Sequence, residues 1–390
     1  MPVSTPNGRP GRARHPRLAG WTSAALLGAA TVMLAVPVHA APLPAAHPRE
    51  LAGPAALTTR QLAGQRIVYS YPGLTPPESL LQHIRDGEAG GVIFFGENIS
   101  SRTQIAGVIT QLRQAQQQSV VQVPLLLMTD QEGGLVRRLP GEPVLSEKQI
   151  GQSADPIAAA SSAGTGAGQN LAGVGMNVNL APVLDVYYKP NNFIDQFQRS
   201  YSNDPALVSS LGQAFITAQQ ATGVAATAKH FPGLGSATKN QNTDLGPVRL
   251  TVSLTKLRAT DEAPYPAAIT AGVKLIMVSW ATYPALDANH PAGLSSTVVQ
   301  SELRGRLGFT GVTATDALEA GALNAFGNTG QRAVSAAGAG MDLILCSARS
   351  LTQGEDATTG LVNALNDGQL DQSAFTAAVD RITALRAGLH

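Results

Sequence analysis

The sequence predicts an α/β chain folded as a single (β/α)8 barrel of the TIM type. Eight short apolar runs recur between residues 66 and 345. They are continuous rather than alternating, as strands buried on both faces are. Helical stretches separate most of them, and that alternation implies a parallel sheet. The span 59–390 also falls in this fold's usual range of roughly 200 to 400 residues. An open doubly wound sheet is the alternative reading of the same alternation.

Taken in order, the strands are expected at Arg66–Tyr69 (RIVY), Gly91–Phe95 (GVIFF), Leu125–Thr129 (LLLMT) and Asn177–Leu180 (NVNL). The second four are Ala225–Lys229, Leu275–Ser279 (LIMVS), Gly311–Thr315 and Asp342–Leu345 (DLIL). The clearest helical stretches are Ser101–Gln118, Asp155–Gly173, Pro205–Thr222 and Leu254–Ala271. The run from Gly164 to Gly168 lies inside one of them and lacks the third glycine of G-x-G-x-x-G. It therefore reads as close helix packing rather than a phosphate loop.

Composition narrows the class. The chain has 390 residues, 27 Lys+Arg, 26 Asp+Glu and a net charge of +1, which excludes a strongly basic nucleic-acid binder. One cysteine, Cys346, excludes a disulfide framework and every multi-cysteine zinc site. The 44% hydrophobic fraction is that of a globular protein. Residues 1–40 read as a signal peptide. Arg9, Arg12, Arg14 and Arg17 come first, then an apolar stretch from Trp21 to Val36, then Val38-His39-Ala40 as a cleavage site. A membrane anchor is the alternative, but the stretch is short of the ~20 residues a span needs. Residues 41–58 read as a Pro/Ala-rich tether and 59–390 as the barrel domain. The mature chain is expected to be secreted, free or held at the cell wall, without stable membrane insertion.

In a barrel, chemistry collects at the C-terminal ends of the strands. Here those ends are polar. Strand three runs into Asp130, strand four leads to Asp185, strand five ends at Lys229-His230, and strand seven ends at Asp316, where a helix start is expected. Charges directly after buried runs are costly unless they face a wet or paired site. They mark either a polar cleft or a ring of mutually satisfied ion pairs. His83, His230 and His290 are far apart, with no H-E-x-x-H, so no metal is expected, nor any organic cofactor. Paired carboxylates at a barrel mouth suit glycoside hydrolysis, and Asp316 is the best nucleophile candidate.

These segments carry a resemblance. GGVIFFGENI (Gly90–Ile99), LLMTDQEGGLVRRLPG (Leu126–Gly141), GMNVNLAPVLDV (Gly175–Val186), RSYSNDP (Arg199–Pro205), AKHFPGLG (Ala228–Gly235), LIMVSWATYPALD (Leu275–Asp287) and FTGVTATDAL (Phe309–Leu318) run in one order. Together they resemble glycoside hydrolase family 3, in its single-barrel β-N-acetylglucosaminidase branch. The resemblance implies a retaining hydrolase of β-linked N-acetylglucosamine, from peptidoglycan or chitin fragments, with no second sandwich domain after the barrel. It places Asp316 at the family's nucleophile. It makes Asp130, Arg138, Arg199, Lys229 and His230 sugar contacts. The bland readings are an ion pair for each arginine and a bracing pair for Lys229-His230.

One loop departs from the pattern. The branch reads K-H-[FI]-P-G-H-G and then D-S-H, whose Asp–His pair supplies a mobile proton donor. Here Leu234 replaces the first loop histidine, and D-S-H is absent. Anchoring on Leu245-Gly246-Pro247 places Asn242 and Asp244 over the pair; an ungapped reading places Asn240 and Asn242 there. Asn has no titratable proton. Asp244 can donate if burial or a neighbouring carboxylate such as Asp316 raises its pKa, so Asp244 is the expected general acid/base. A carbohydrate-binding pseudoenzyme and a β-glucosidase are the alternatives. Oligomeric state is not set by the sequence.

Overall fold

A computed structural model describes residues 57–389. The expected signal peptide, and the tether as far as residue 56, lie outside the described residues. Ten strands follow in chain order: β1 (Ile67–Tyr69), β2 (Gly91–Ile93), β3 (Leu126–Thr129), β4 (Gln131–Gly133), β5 (Val136–Arg137), β6 (Val178–Asn179), β7 (Ala225–Phe231), β8 (Leu275–Val278), β9 (Val312–Thr315) and β10 (Ile344–Leu345). Eight of them form one sheet in the order β10-β1-β2-β3-β6-β7-β8-β9, every neighbour parallel. A parallel bridge between Ala314 and Leu343 and the Leu343 N–H donated to Thr313 O (2.9 Å) close the circle. Sequential order with closure is the barrel topology, not the reversing order of a doubly wound sheet. The remaining pair, β4 and β5, is a small antiparallel hairpin above β3.

The apolar runs are continuous because both strand faces are buried. Val68, Ile93, Met128, Val178, Met277 and Val312 belong to one cluster inside the barrel. Their neighbours Tyr69, Val92, Leu127 and Ile276 pack outward against the helices. The C-terminal helix Gln372–Ala387 contributes Ile382 to the interior cluster. On that helix, buried Arg386 donates to Pro124 O (2.6 Å) and Val123 O (3.0 Å), just ahead of β3. This helix covers the N-terminal end of the barrel.

Three of the four expected helices form nearly as read: Arg102–Gln117, Pro156–Ala172 and Pro205–Gln220. Ser101, Asp155 and Asp204 cap them, each side-chain oxygen accepting a first-turn N–H. A Cβ on Gly164 would meet Phe215 O at 2.3 Å, so that glycine does serve helix packing. The fourth stretch differs. It is a short turn (Leu254–Lys256), a π-helical turn (Leu257–Asp261) and a separate helix (Pro264–Thr270). Pro264 and Pro266 lack the N–H groups a continuous helix needs there. Asp316 also differs from expectation. No helix starts at once; a turn leads to a 3-10 segment, Gly321–Phe326, and the helix begins at Thr329.

Candidate active site

The hairpin after β3 builds one wall. Gly133 has φ +112°, and a Cβ there would stand 2.2 Å from Leu145 O, so the turn requires glycine. Buried Gln131 brackets the returning strand, donating to Leu139 O (2.8 Å) and accepting from Leu139 N (3.0 Å). The fold-back sets Arg138 beside Asp130, with Arg138 N donating to Asp130 O at 3.3 Å.

A charged lattice supports the floor. Lys229, only 2% exposed, places its Nζ 2.7 Å from Asp130 Oδ1 and 2.6 Å from Glu132 Oε1. Glu132 also takes a bidentate grip from Arg199, at 2.8 Å through Nε and 2.8 Å through Nη2. Burial alone would raise the Glu132 carboxyl, but Arg199 and Lys229 overcome it and hold it down at about 2. Beside it, Glu147 accepts the Val183 N–H (2.8 Å). Burial, and then the charge of Glu132, push the Glu147 carboxyl well above the usual carboxylate range.

His230 is held from behind. Its Nδ1 lies 2.7 Å from Asp185 Oδ2, while Asp185 Oδ1 accepts the Leu234 N–H at 2.7 Å. Tyr188 donates its hydroxyl proton to Asp261 Oδ2 (2.5 Å) in the same buried region. Burial, opposed by that hydrogen bond and reinforced by Asp185, pushes Asp261 up to about 7.

Asp316 follows β9 directly and accepts the N–H of Ala317 at Oδ1 (2.7 Å). Asp244 sits on the loop opposite and keeps access to solvent. Crowding by the cleft walls raises its pKa first, and the charge of Asp316 raises it further, against His230 and Arg199. Asn242 turns its Oδ1 back onto Asp244 N (2.8 Å), a local turn contact.

The seven residues expected to be catalytic or to contact sugar line one hollow of about 290 Å3 at the C-terminal mouth: Asp130, Arg138, Arg199, Lys229, His230, Asp244 and Asp316; Asp185 is buried behind it. Asn240 and Asn242 do not line it. The two readings of the polar mouth each hold for part of the set. Asp130, Lys229 and Arg199 are ion-paired with Glu132 as hub or neighbour. Asp316, Asp244 and Arg138 have no ion pair among the described residues, and Arg138 Nε is buried with no hydrogen-bond partner. Unsatisfied donors and acceptors at a concave mouth are groups a polar ligand can satisfy.

Residues 60–385 match the glycosyl hydrolase family 3 N terminal domain. The chain belongs to glycosyl hydrolase family 3. It is 49% identical over 329 residues to a protein of Arthroderma benhamiae named an uncharacterized secreted glycosyl hydrolase, covering 84% of this chain and 93% of that one. The beta-hexosaminidase A of Pseudoalteromonas piscicida is 31% identical over 377 residues, 85% of this chain and 62% of the relative. Among solved structures, a beta-N-acetylglucosaminidase from Paenibacillus sp. str. FPU-7 superposes with a TM-score of 0.80 at 35% identity, over 85% of this chain and 63% of that one. The beta-N-acetylhexosaminidase of Beutenbergia cavernae superposes at 0.77 with 32% identity, over 85% of this chain and 99% of that one. The chain thus spans less than two thirds of the Pseudoalteromonas and Paenibacillus proteins.

In this family-3 glycoside hydrolase, sequence reasoning passes over Glu132, Glu319 and Arg349. Glu132 sits inside the D-Q-E-G-G segment, two residues from Asp130, and that spacing is its signal. Glu319 lines the mouth, tied to Ser347 Oγ (2.9 Å) and Gln353 Nε2 (3.0 Å). Arg349 stacks on Phe95 with 4.4 Å to the ring centroid. No local pattern marks Glu319 or Arg349, because their partners come from distant segments.

Proposed function

We propose that this family-3 hydrolase is a retaining β-N-acetylglucosaminidase that removes a terminal sugar from peptidoglycan or chitin fragments. Asp316 is the nucleophile and Asp244 the general acid/base. The observation that carries this reading is that Asp316 and Asp244 line one cleft, neither with an ion-pair partner among the described residues, while burial and then the charge of Asp316 raise the pKa of Asp244. A carboxyl whose pKa is raised beside a second carboxylate can serve as the acid while its neighbour serves as the nucleophile of a double displacement. The hexosaminidase relatives support the choice of sugar.

In the first step Asp316 attacks the anomeric carbon and forms a glycosyl ester, while Asp244 gives its proton to the departing oxygen. In the second, Asp244 takes a proton from water, which attacks the same carbon and frees Asp316. Arg138 donates to a sugar hydroxyl or carbonyl oxygen, since its buried Nε has no hydrogen-bond partner among the described residues. Asp130, His230, Arg199 and Lys229 complete the sugar contacts. The small hollow suits one ring and so cleavage at a chain end. Export is part of the proposal: residues 1–40 carry the signal features, and the 49% identical relative is named as secreted.

Two substrates test it. Hydrolysis of 4-nitrophenyl β-N-acetylglucosaminide needs a nucleophile and little protonation, whereas N,N′-diacetylchitobiose needs the acid as well. Turnover of both is expected, with kcat/KM for chitobiose falling on the alkaline side as Asp244 loses its proton. Turnover of the aryl substrate alone would remove Asp244 as donor. Binding of N-acetylglucosamine with neither substrate hydrolysed would leave a sugar-binding protein.

A further inference from the structure

The loop carrying Asp244 is joined by its backbone to the segment carrying Asp316. Gly321 N donates to Asp244 O at 2.9 Å, and Ala322 N donates to Thr243 O at 2.9 Å. Gly321 opens the 3-10 turn that follows Asp316. A Cβ on Gly321 would stand 2.6 Å from the carbonyl carbon and oxygen of Leu245 and 2.9 Å from Asp244 O, so no other residue fits without displacing the loop. Apolar packing does not hold the tip: Leu245 is 81% exposed. The base of the loop is fixed separately, by Tyr283 OH donating to Gly233 O (2.8 Å) and Asn192 Nδ2 donating to Gly235 O (2.7 Å).

We propose that Gly321 is a positioning residue that latches the donor loop to the nucleophile segment, so that Asp244 and Asp316 hold their separation as one unit. The latch rests on Asp244 being the proton donor. Its physical content is that two backbone hydrogen bonds and one missing side chain set where Asp244 stands. A donor displaced by about 1 Å loses proton transfer far faster than it loses sugar binding. The latch therefore matters most where the leaving group needs its proton.

The test compares the full-length wild type with Gly321→Ala and Asp244→Asn. The quantity read is the ratio of kcat/KM for 4-nitrophenyl β-N-acetylglucosaminide to kcat/KM for N,N′-diacetylchitobiose. Gly321→Ala is expected to raise this ratio about tenfold with KM for both substrates held within about twofold, and Asp244→Asn to raise it about 10²- to 10⁴-fold. If Asp244→Asn raises the ratio and Gly321→Ala does not, the latch is wrong and the donor assignment stands. Equal losses on both substrates in Gly321→Ala would mean a structural role only and would also overturn the latch. If Asp244→Asn leaves the ratio unchanged, the donor assignment fails and takes the latch with it. Amide exchange on the wild type needs no variant to fold. The Gly321 and Ala322 amides are expected to exchange at least about 100-fold more slowly than those of exposed Lys239 and Asn240. Equal rates would overturn the latch.

Discussion

Asp316→Ala is expected to abolish turnover and leave the fold intact. Loss of the nucleophile in a residue set that acts as a unit costs about 10⁵-fold in kcat, or about 7 kcal/mol at 1.36 kcal/mol per decade. The loss falls on kcat for aryl and chitobiose substrates alike, because both need the covalent step. Stability is expected to move by no more than about 0.5 kcal/mol. The reason is local: the side chain's hydrogen bond is to its own neighbour, Ala317 N, and no ion pair holds it among the described residues. Steady-state kinetics beside a thermal melt read both halves. Activity within tenfold of wild type would move the nucleophile elsewhere.

Glu132→Gln is expected to be the most damaging change beneath the site. Among the described residues Glu132 is the only carboxylate in an ion pair with both Arg199 and Lys229, and all three are largely withdrawn from solvent. Breaking a buried pair by removing one charge costs about 3–5 kcal/mol, because the remaining charges stay buried and uncompensated. Arg199 and Lys229 would then repel each other without the carboxylate they share. Both line the cleft, so kcat/KM is expected to fall about 100-fold as the sugar contacts shift. The pH dependence has a definite sign. The folded-state pKa is depressed to about 2 from an ordinary 4.5, so the Glu132 contribution is complete above pH 4.5 and is lost as pH falls toward 2. The gap in melting temperature between wild type and Glu132→Gln should be full at pH 7 and close across that window. A gap independent of pH would mean that packing, not charge, holds the lattice.

The barrel is legible in the sequence because burial on both strand faces leaves an unbroken apolar run, and eight such runs in order admit few folds. Strand ends are legible for the same reason: Asp130 and Asp316 interrupt those runs at the mouth. The helix expected over 254–271 is not legible as it forms, because Pro264 and Pro266 divide it while leaving its apolar pattern in place. The lattice is less legible still. Glu132 meets Arg199 and Lys229 only after β4, β7 and the segment before Pro205 come together, and no spacing in one segment encodes that. The donor loop is the hardest case. Sequence leaves two alignments of the loop over the family's Asp–His pair, one with Asn242 and Asp244 and one with Asn240 and Asn242. Asn242 accepts the Asp244 N–H in a local turn, neither Asn240 nor Asn242 lines the hollow, and Asp244 lines it together with Asp316.

The proposed covalent step at Asp316 is tested most directly by trapping it. A 5-fluoro-N-acetylglucosaminyl fluoride carries a leaving group that needs little acid, and its ring fluorine slows both steps by opposing positive charge at the anomeric carbon. Incubation, acid quench and peptide mass spectrometry then read where the sugar sits. One fluorinated N-acetylglucosaminyl group is predicted, on the peptide containing Asp316 and on that side chain. A sugar ester on another residue, or turnover of the aryl substrate by an enzyme that never takes up the label, would contradict the assignment.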